Sequence, residues 1–330
     1  MSYSDYYHSV ANLYGDLIRF LEKKGFPILV KSPKLKRIRL ENRFVNSNNT
    51  KAHAFEQQLK FFDYTLKTNF PQELLLNYLD NLEDLSAYGI YFQLANIINI
   101  EGYEGRYNSK YNVIVIDIND PRRILSIFHE FFHVASTNRS DPDHIRTGLS
   151  FINRNTKQLM GRKLNEGYTD LMTCRYFSCV GYEPGYPIQM KYAELLEQIV
   201  GKNLMEESFL TASPQKMFAE LQKYDSVDSI VDFVQTIDQL DDIEKPLQLD
   251  TLCYRTASYY IIKWFVRKQI VSGYDLNDPN TVNRIYMFAS QLPRRVPNPH
   301  YPNKTILIDV ERIVEEEIKE GKKANLGMGY

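Results

Sequence analysis

Apolar positions recur at helical spacing along most of the chain and crowd into strand-like runs over one short stretch. Near the start, Val10, Leu13, Leu17, Phe20 and Leu21 fall on one helical face, and Gly25 ends that helix ahead of Pro27. The pattern predicts two further helices, over 52–68 and 71–83. Between Tyr88 and Asp117 the character changes. YGIYFQLANIINI and YNVIVIDI are rich in β-branched and aromatic residues and predict two strands of a small sheet. Gly102, Gly105 and Asn108 punctuate the connection between them.

Asn119, Asp120 and Pro121 then supply a helix start, with Asp120 as cap and Pro121 at the first helical position. That helix is expected to run to Ser136. Residues 139–163 read as irregular or hairpin-like, and another helix is expected after Asn165. From Pro187 to Arg267 the periodicity is helical almost throughout, including TASYYIIKWFV, where Trp264 reads as a core anchor. A loop carrying Pro293, Pro297, Pro299 and Pro302 precedes a last charged helix and a tail expected to be mobile. No repeat or low-complexity block interrupts the chain. The pattern predicts an α+β fold, mostly helical, with a small sheet set among many helices.

Composition adds limits. With 43% hydrophobic residues over 330 positions, the chain can bury a substantial core, which excludes a disordered class. A formal net charge of −1 provides no global field for nucleic acid or anionic membrane. The basic cluster of Lys31, Lys34, Lys36, Arg37 and Arg39 is short and interrupted, as on a solvated strand or loop face. Cys174, Cys179 and Cys253 are too few and too scattered for a disulfide framework, and Cys174 and Cys179 read as core thiols. The first residues lack the marks of a signal peptide, and no window approaches a membrane span. The expected address is the cytoplasm, with neither nucleic acid nor membrane as partner.

The chemistry concentrates in HEFFH, residues 129–133. His129 and His133 are four apart, so on a helix they leave one face a turn apart and can grip one ion. Glu130 is rotated about 100° from His129, off that row but within reach of a water at the metal. The bland alternative is a chance match on a core helix, since Ile124, Phe128, Phe131 and Ala135 already form an apolar stripe. A zinc helix must also pack, so both descriptions can hold.

A catalytic zinc keeps three protein ligands and one open position. The metzincin pattern fails, because Ser136 and Arg139 stand where Gly and His would be needed. NEGYTD, residues 165–170, offers Glu166 and Asp170 four apart on one face at the expected start of the next helix. Glu166 would complete a two-His, one-Glu set with Zn2+. Asp170 would accept the free ring N–H of a ligand histidine and fix its tautomer. A carboxylate in a first helical turn also has a dull explanation, the helix dipole. His144, in SDPDHIR, is a weaker substitute ligand because it sits in a turn-rich loop.

HEFFH followed by NEGYTD resembles the gluzincins, the thermolysin-like clan of zinc metallopeptidases, over about residues 111–180. The resemblance matches His129, His133 and Glu166 to the metal ligands, Glu130 to the general base and Asp170 to the carboxylate behind a histidine. It implies peptide-bond hydrolysis of a peptide or protein substrate by water activated at zinc. It also implies that YNVIVIDI is the edge strand bordering a substrate cleft. Three regions follow: 1–85 as an N-terminal helical region, 86–185 as a zincin-like catalytic core, and 186–330 as a helical region completing the cleft. No GxMEN-type motif of the aminopeptidase branch is present. The transition-state donor of the clan, a Tyr or His, has no motif here; Tyr168, Tyr176, Tyr182, Tyr186, Tyr192 and His300 all qualify by chemistry. Two rivals remain: a zincin scaffold kept as a binding or regulatory module with a structural metal, and a regulatory protease with a single target.

Overall fold

The computed structural model describes residues 61–81, 92–94, 105–109, 113–116, 126–141, 144–153, 156–177, 182–240, 247–298, 301 and 303–327. The expected helix over 10–21, the basic cluster at 31–39, the helix start at Asp120 and Pro121, and Cys179 and His300 lie outside them. The architecture is mostly helical with small sheets. Among the described residues no helix is long and apolar enough to cross a membrane. The chain divides into two units, one drawn from 1–148, 172–183 and 210–212, the other from 149–171, 184–209 and 213–330.

In the first unit, helix α1 covers 61–69, a 3₁₀ turn covers Gln72–Leu74 and helix α2 covers 76–81. The sequence predicts one helix over 71–83. It is broken because Pro71 is extended (ψ 149°) and the Leu75 N–H bonds to Gln72 O, three residues back. Strands β1 (Phe92–Leu94), β2 (Gly105–Asn108) and β3 (Val113–Ile116) form a sheet in the order β1-β3-β2. β1 runs parallel to β3, and β2 antiparallel to it.

Two expectations are corrected here. Residues 105–108 are a strand rather than part of a connection, with Arg106 opposite Val115 and Tyr107 opposite Ile114. YNVIVIDI is therefore no edge strand: its described residues 113–116 are paired on both sides. The β-branched run VIVI suits that central place, where both neighbours draw on its backbone.

Helix α3 (Ile127–Ala135) carries HEFFH and is buried at every position. Its rings join a cluster around Phe62, whose centroid lies 5.1 Å from those of Phe131 and Phe132 and 5.4 Å from that of Phe177. Phe128 stacks on Phe177 at 4.4 Å. The helix's last carbonyls are satisfied: Thr137 Oγ1 donates to His133 O at 2.7 Å, and Asn81 Nδ2 to Val134 O at 2.8 Å. Two hairpin strands follow, β4 (Thr137–Asn138) and β5 (Arg146–Thr147).

The second unit opens with the hairpin of β6 (Phe151–Ile152) and β7 (Leu159–Met160), so the hairpin reading of 139–163 holds. Helix α4 (Arg162–Phe177) carries NEGYTD and contributes to both units. Helices α5 (Pro187–Val200), α6 (Lys202–Leu210), α7 (Pro214–Leu221), α8 (Val227–Asp238), α9 (Leu247–Val271) and α10 (Pro279–Ala289) follow. Proline opens α5, α7 and α10, where its missing N–H costs nothing. Helix α9 is the axis of this unit and packs against α5, α8, α10 and α11 (Val310–Gly327). Its Trp264 is fully buried and donates to Asp225 Oδ2 at 3.1 Å, as expected of a core anchor. The proline-bearing stretch read as a loop contains a further hairpin, β8 (Arg295–Pro297) with β9 (Thr305–Leu307).

Candidate metal centre

The periodicity of α3 delivers what the spacing of HEFFH promises. His129 Nε2 and His133 Nε2 lie 3.0 Å apart, with their rings edge to face. Two zinc bonds of 2.0–2.1 Å at a tetrahedral angle would set such nitrogens about 3.3 Å apart. Both histidines are buried, as is Glu130 between them in sequence. Keeping an ionisable group in such a place carries a desolvation cost unless a partner or an ion offsets it.

Helix α4 brings the third residue. His129, His133 and half-buried Glu166 each offer a ligand atom, and these atoms lie within 4.8 Å of one another. The donor set is two imidazole nitrogens and one carboxylate oxygen, the chemistry that suits a catalytic zinc. His144 is not part of this group; it is exposed and pairs with Asp141 Oδ2 at 2.8 Å.

The start of α4 differs from expectation. The helix begins at Arg162, not after Asn165, so Glu166 stands in its second turn and the helix-dipole explanation loses its footing. The reason is a cap from far along the chain. Asp238 accepts the Gly161 N–H at 2.6 Å and the Lys163 N–H at 2.8 Å, and the Lys163 ammonium donates to Leu240 O. Gly161 takes a positive φ of 78° just before the helix, which a residue with a Cβ adopts only under strain. Burial pushes the Asp238 carboxyl above its ordinary range, against the pull of the two N–H bonds and of Arg162 and Lys163.

Nearly every residue of NEGYTD is held. Asn165 Oδ1 accepts the Leu149 N–H at 2.9 Å. Gly167 lies so close to α5 that a methyl on it would sit 2.3 Å from the Gln189 carbonyl carbon. The Tyr168 hydroxyl donates to Glu197 Oε2 at 2.7 Å, and Thr169 bonds back to Asn165 O at 2.8 Å. Asp170, fully buried, accepts the Tyr186 N–H at 2.6 Å.

Among the tyrosines open as donors, Tyr168 serves Glu197, and the Tyr192 hydroxyl meets Ser258 Oγ at 2.9 Å. Tyr176 packs its ring on Phe70, while Tyr186 lends its N–H to Asp170. Tyr182 sets its hydroxyl 3.0 Å from His129 Nδ1. Sequence reasoning gave Tyr182 no place at a ligand, because it follows His133 by 49 residues with no motif around it. The chain matches no family model, no curated protein and no solved structure with which it was compared.

Proposed function

We propose that the chain is a zinc-dependent peptidase in which His129, His133 and Glu166 hold the metal and Glu130 is the general base. The observation that carries this reading is the convergence of those three ligand atoms, with buried Glu130 directly beside His129 on the same helix. Zinc would supply Lewis acidity to the scissile carbonyl and make a water acidic near neutral pH. Glu130 accepts a proton from the attacking water and passes it to the departing amine as the C–N bond breaks. His129 and His133 fix the position at which this occurs, and the buried wall of α3 limits access of bulk water. Asp170, one helical turn beyond Glu166, would accept the free ring N–H of a ligand histidine.

The substrate class is a peptide or protein, the zincin-like core belongs to the same proposal, and so does a cytoplasmic address. A structural metal in a binding module would have no use for Glu130, which favours hydrolysis. Glu130→Gln tests this directly: metal content and fold stay, while cleavage of a peptide library falls by about 100- to 10,000-fold. Undiminished cleavage in the variant would remove Glu130 from the mechanism and return the binding-module reading.

A further inference from the structure

A histidine binds a metal through one ring nitrogen only when the hydrogen sits on the other, so a group that holds the second nitrogen decides whether the first can ligate. In α3 the Nε2 atom of His129 faces His133 Nε2 at 3.0 Å, which makes Nε2 the ligand side of the ring. The other nitrogen, Nδ1, meets the Tyr182 hydroxyl at 3.0 Å. The two rings lie nearly parallel, 27° apart, with centroids 6.3 Å apart. Tyr182 is half-buried, and four residues on, the Tyr186 N–H is tied to the buried Asp170 carboxylate at 2.6 Å.

We infer that Tyr182 is a positioning residue for the metal site: its hydroxyl oxygen accepts the Nδ1–H of His129 and thereby keeps the Nε2 lone pair directed at the ion. This rests on the reading of His129 as a zinc ligand. The hydroxyl is amphoteric, and only the accepting direction is compatible with ligation, since donation to Nδ1 would leave the hydrogen on Nε2. A phenol in this place is a neutral acceptor, weaker than a carboxylate. It orients the ring without adding negative charge beside the ion.

Tyr182→Phe deletes the hydroxyl and keeps the ring, so it isolates the hydrogen bond. Zinc affinity of the full chain, measured by competition with a chelator, should fall by about 10- to 100-fold. The melting temperature of the metal-free protein should stay where it is. With cobalt(II) in place of zinc, the visible absorption bands should shift in Tyr182→Phe and hold in Tyr64→Phe, an exposed control. Tyr182→Gln, which returns an acceptor oxygen, should recover part of the lost affinity and serves as second variant where the phenylalanine chain fails to fold. Wild-type affinity and unshifted bands in Tyr182→Phe, while His129→Ala abolishes binding, would overturn the inference and leave the zinc site standing. A lower metal-free melting temperature with unchanged zinc affinity would also overturn it, by making Tyr182 a packing residue. A wild-type chain that binds no zinc would instead remove the site itself.

Discussion

The two helices that carry the candidate ligands are built in opposite ways. α3 is nine residues long and buried at every position, and it is held by a cluster of rings: Phe128, Phe131 and Phe132 with Phe62 and Phe177. Its two histidines are placed by helical pitch, so their relation follows from four-residue spacing wherever the helix packs. α4 has a weak amphipathic pattern and is fixed residue by residue from remote points, through Asp238, Leu149, Gln189, Glu197 and Tyr186. A site that needs both therefore depends on two kinds of stability, apolar burial for the histidines and polar registration for the glutamate.

The difference predicts where each side breaks. Phe132→Ala empties a fully buried place in the ring cluster and should cost about 3–5 kcal/mol in chemical denaturation. Histidine geometry is set by pitch, so whatever fraction stays folded should still bind metal. A loss of metal from folded protein would show that the rings also set the ligands. On α4 the sensitive point is the opposite of a cavity. Gly167→Ala drives a methyl into the Gln189 backbone and should cost about 1–3 kcal/mol, because two main chains must separate. Here metal affinity should fall together with stability, since Glu166 is the adjacent residue. Affinity unchanged in the destabilised variant would mean that Glu166 is indifferent to the helix crossing.

The smallest effect concerns the cap. Asp238→Asn keeps the shape but weakens acceptance of the Gly161 and Lys163 N–H groups, at about 1 kcal/mol. It also carries a pH signature. The buried carboxyl holds its proton to higher pH in the folded chain than in the unfolded one. Its contribution to stability therefore falls as pH rises from the ordinary value of 3.8 through the raised folded value. Denaturant midpoints of wild type and Asp238→Asn should converge across that window as pH increases. Parallel profiles would show that Asp238 titrates alike in both states.

The same contrast explains what could be read from the sequence. HEFFH gives its geometry away because both histidines lie on one short helix, and the strands at 92–94 and 113–116 lie within runs rich in β-branched and aromatic residues. The hidden parts depend on partners far off in sequence. The start of α4 is set by Asp238, 77 residues beyond Gly161, so no local cap marked Arg162. The strand at 105–108 reads as turn residues until Val113–Ile116 pairs with it. Tyr182 was one tyrosine among several, with nothing in its neighbours to aim it at His129. The hairpin of 295–297 and 305–307 was masked by prolines that mark a loop and equally allow a two-stranded edge.

The proposed peptidase requires one ion held jointly by the histidines of α3 and the glutamate of α4. Elemental analysis of full-length protein purified without added metal tests it most directly, with His129→Ala and Glu166→Ala measured alongside. About one zinc per wild-type chain is expected, with sharply less in both variants while each remains folded. Zinc retained at the wild-type level in folded Glu166→Ala, or absent from the wild type, would contradict the account.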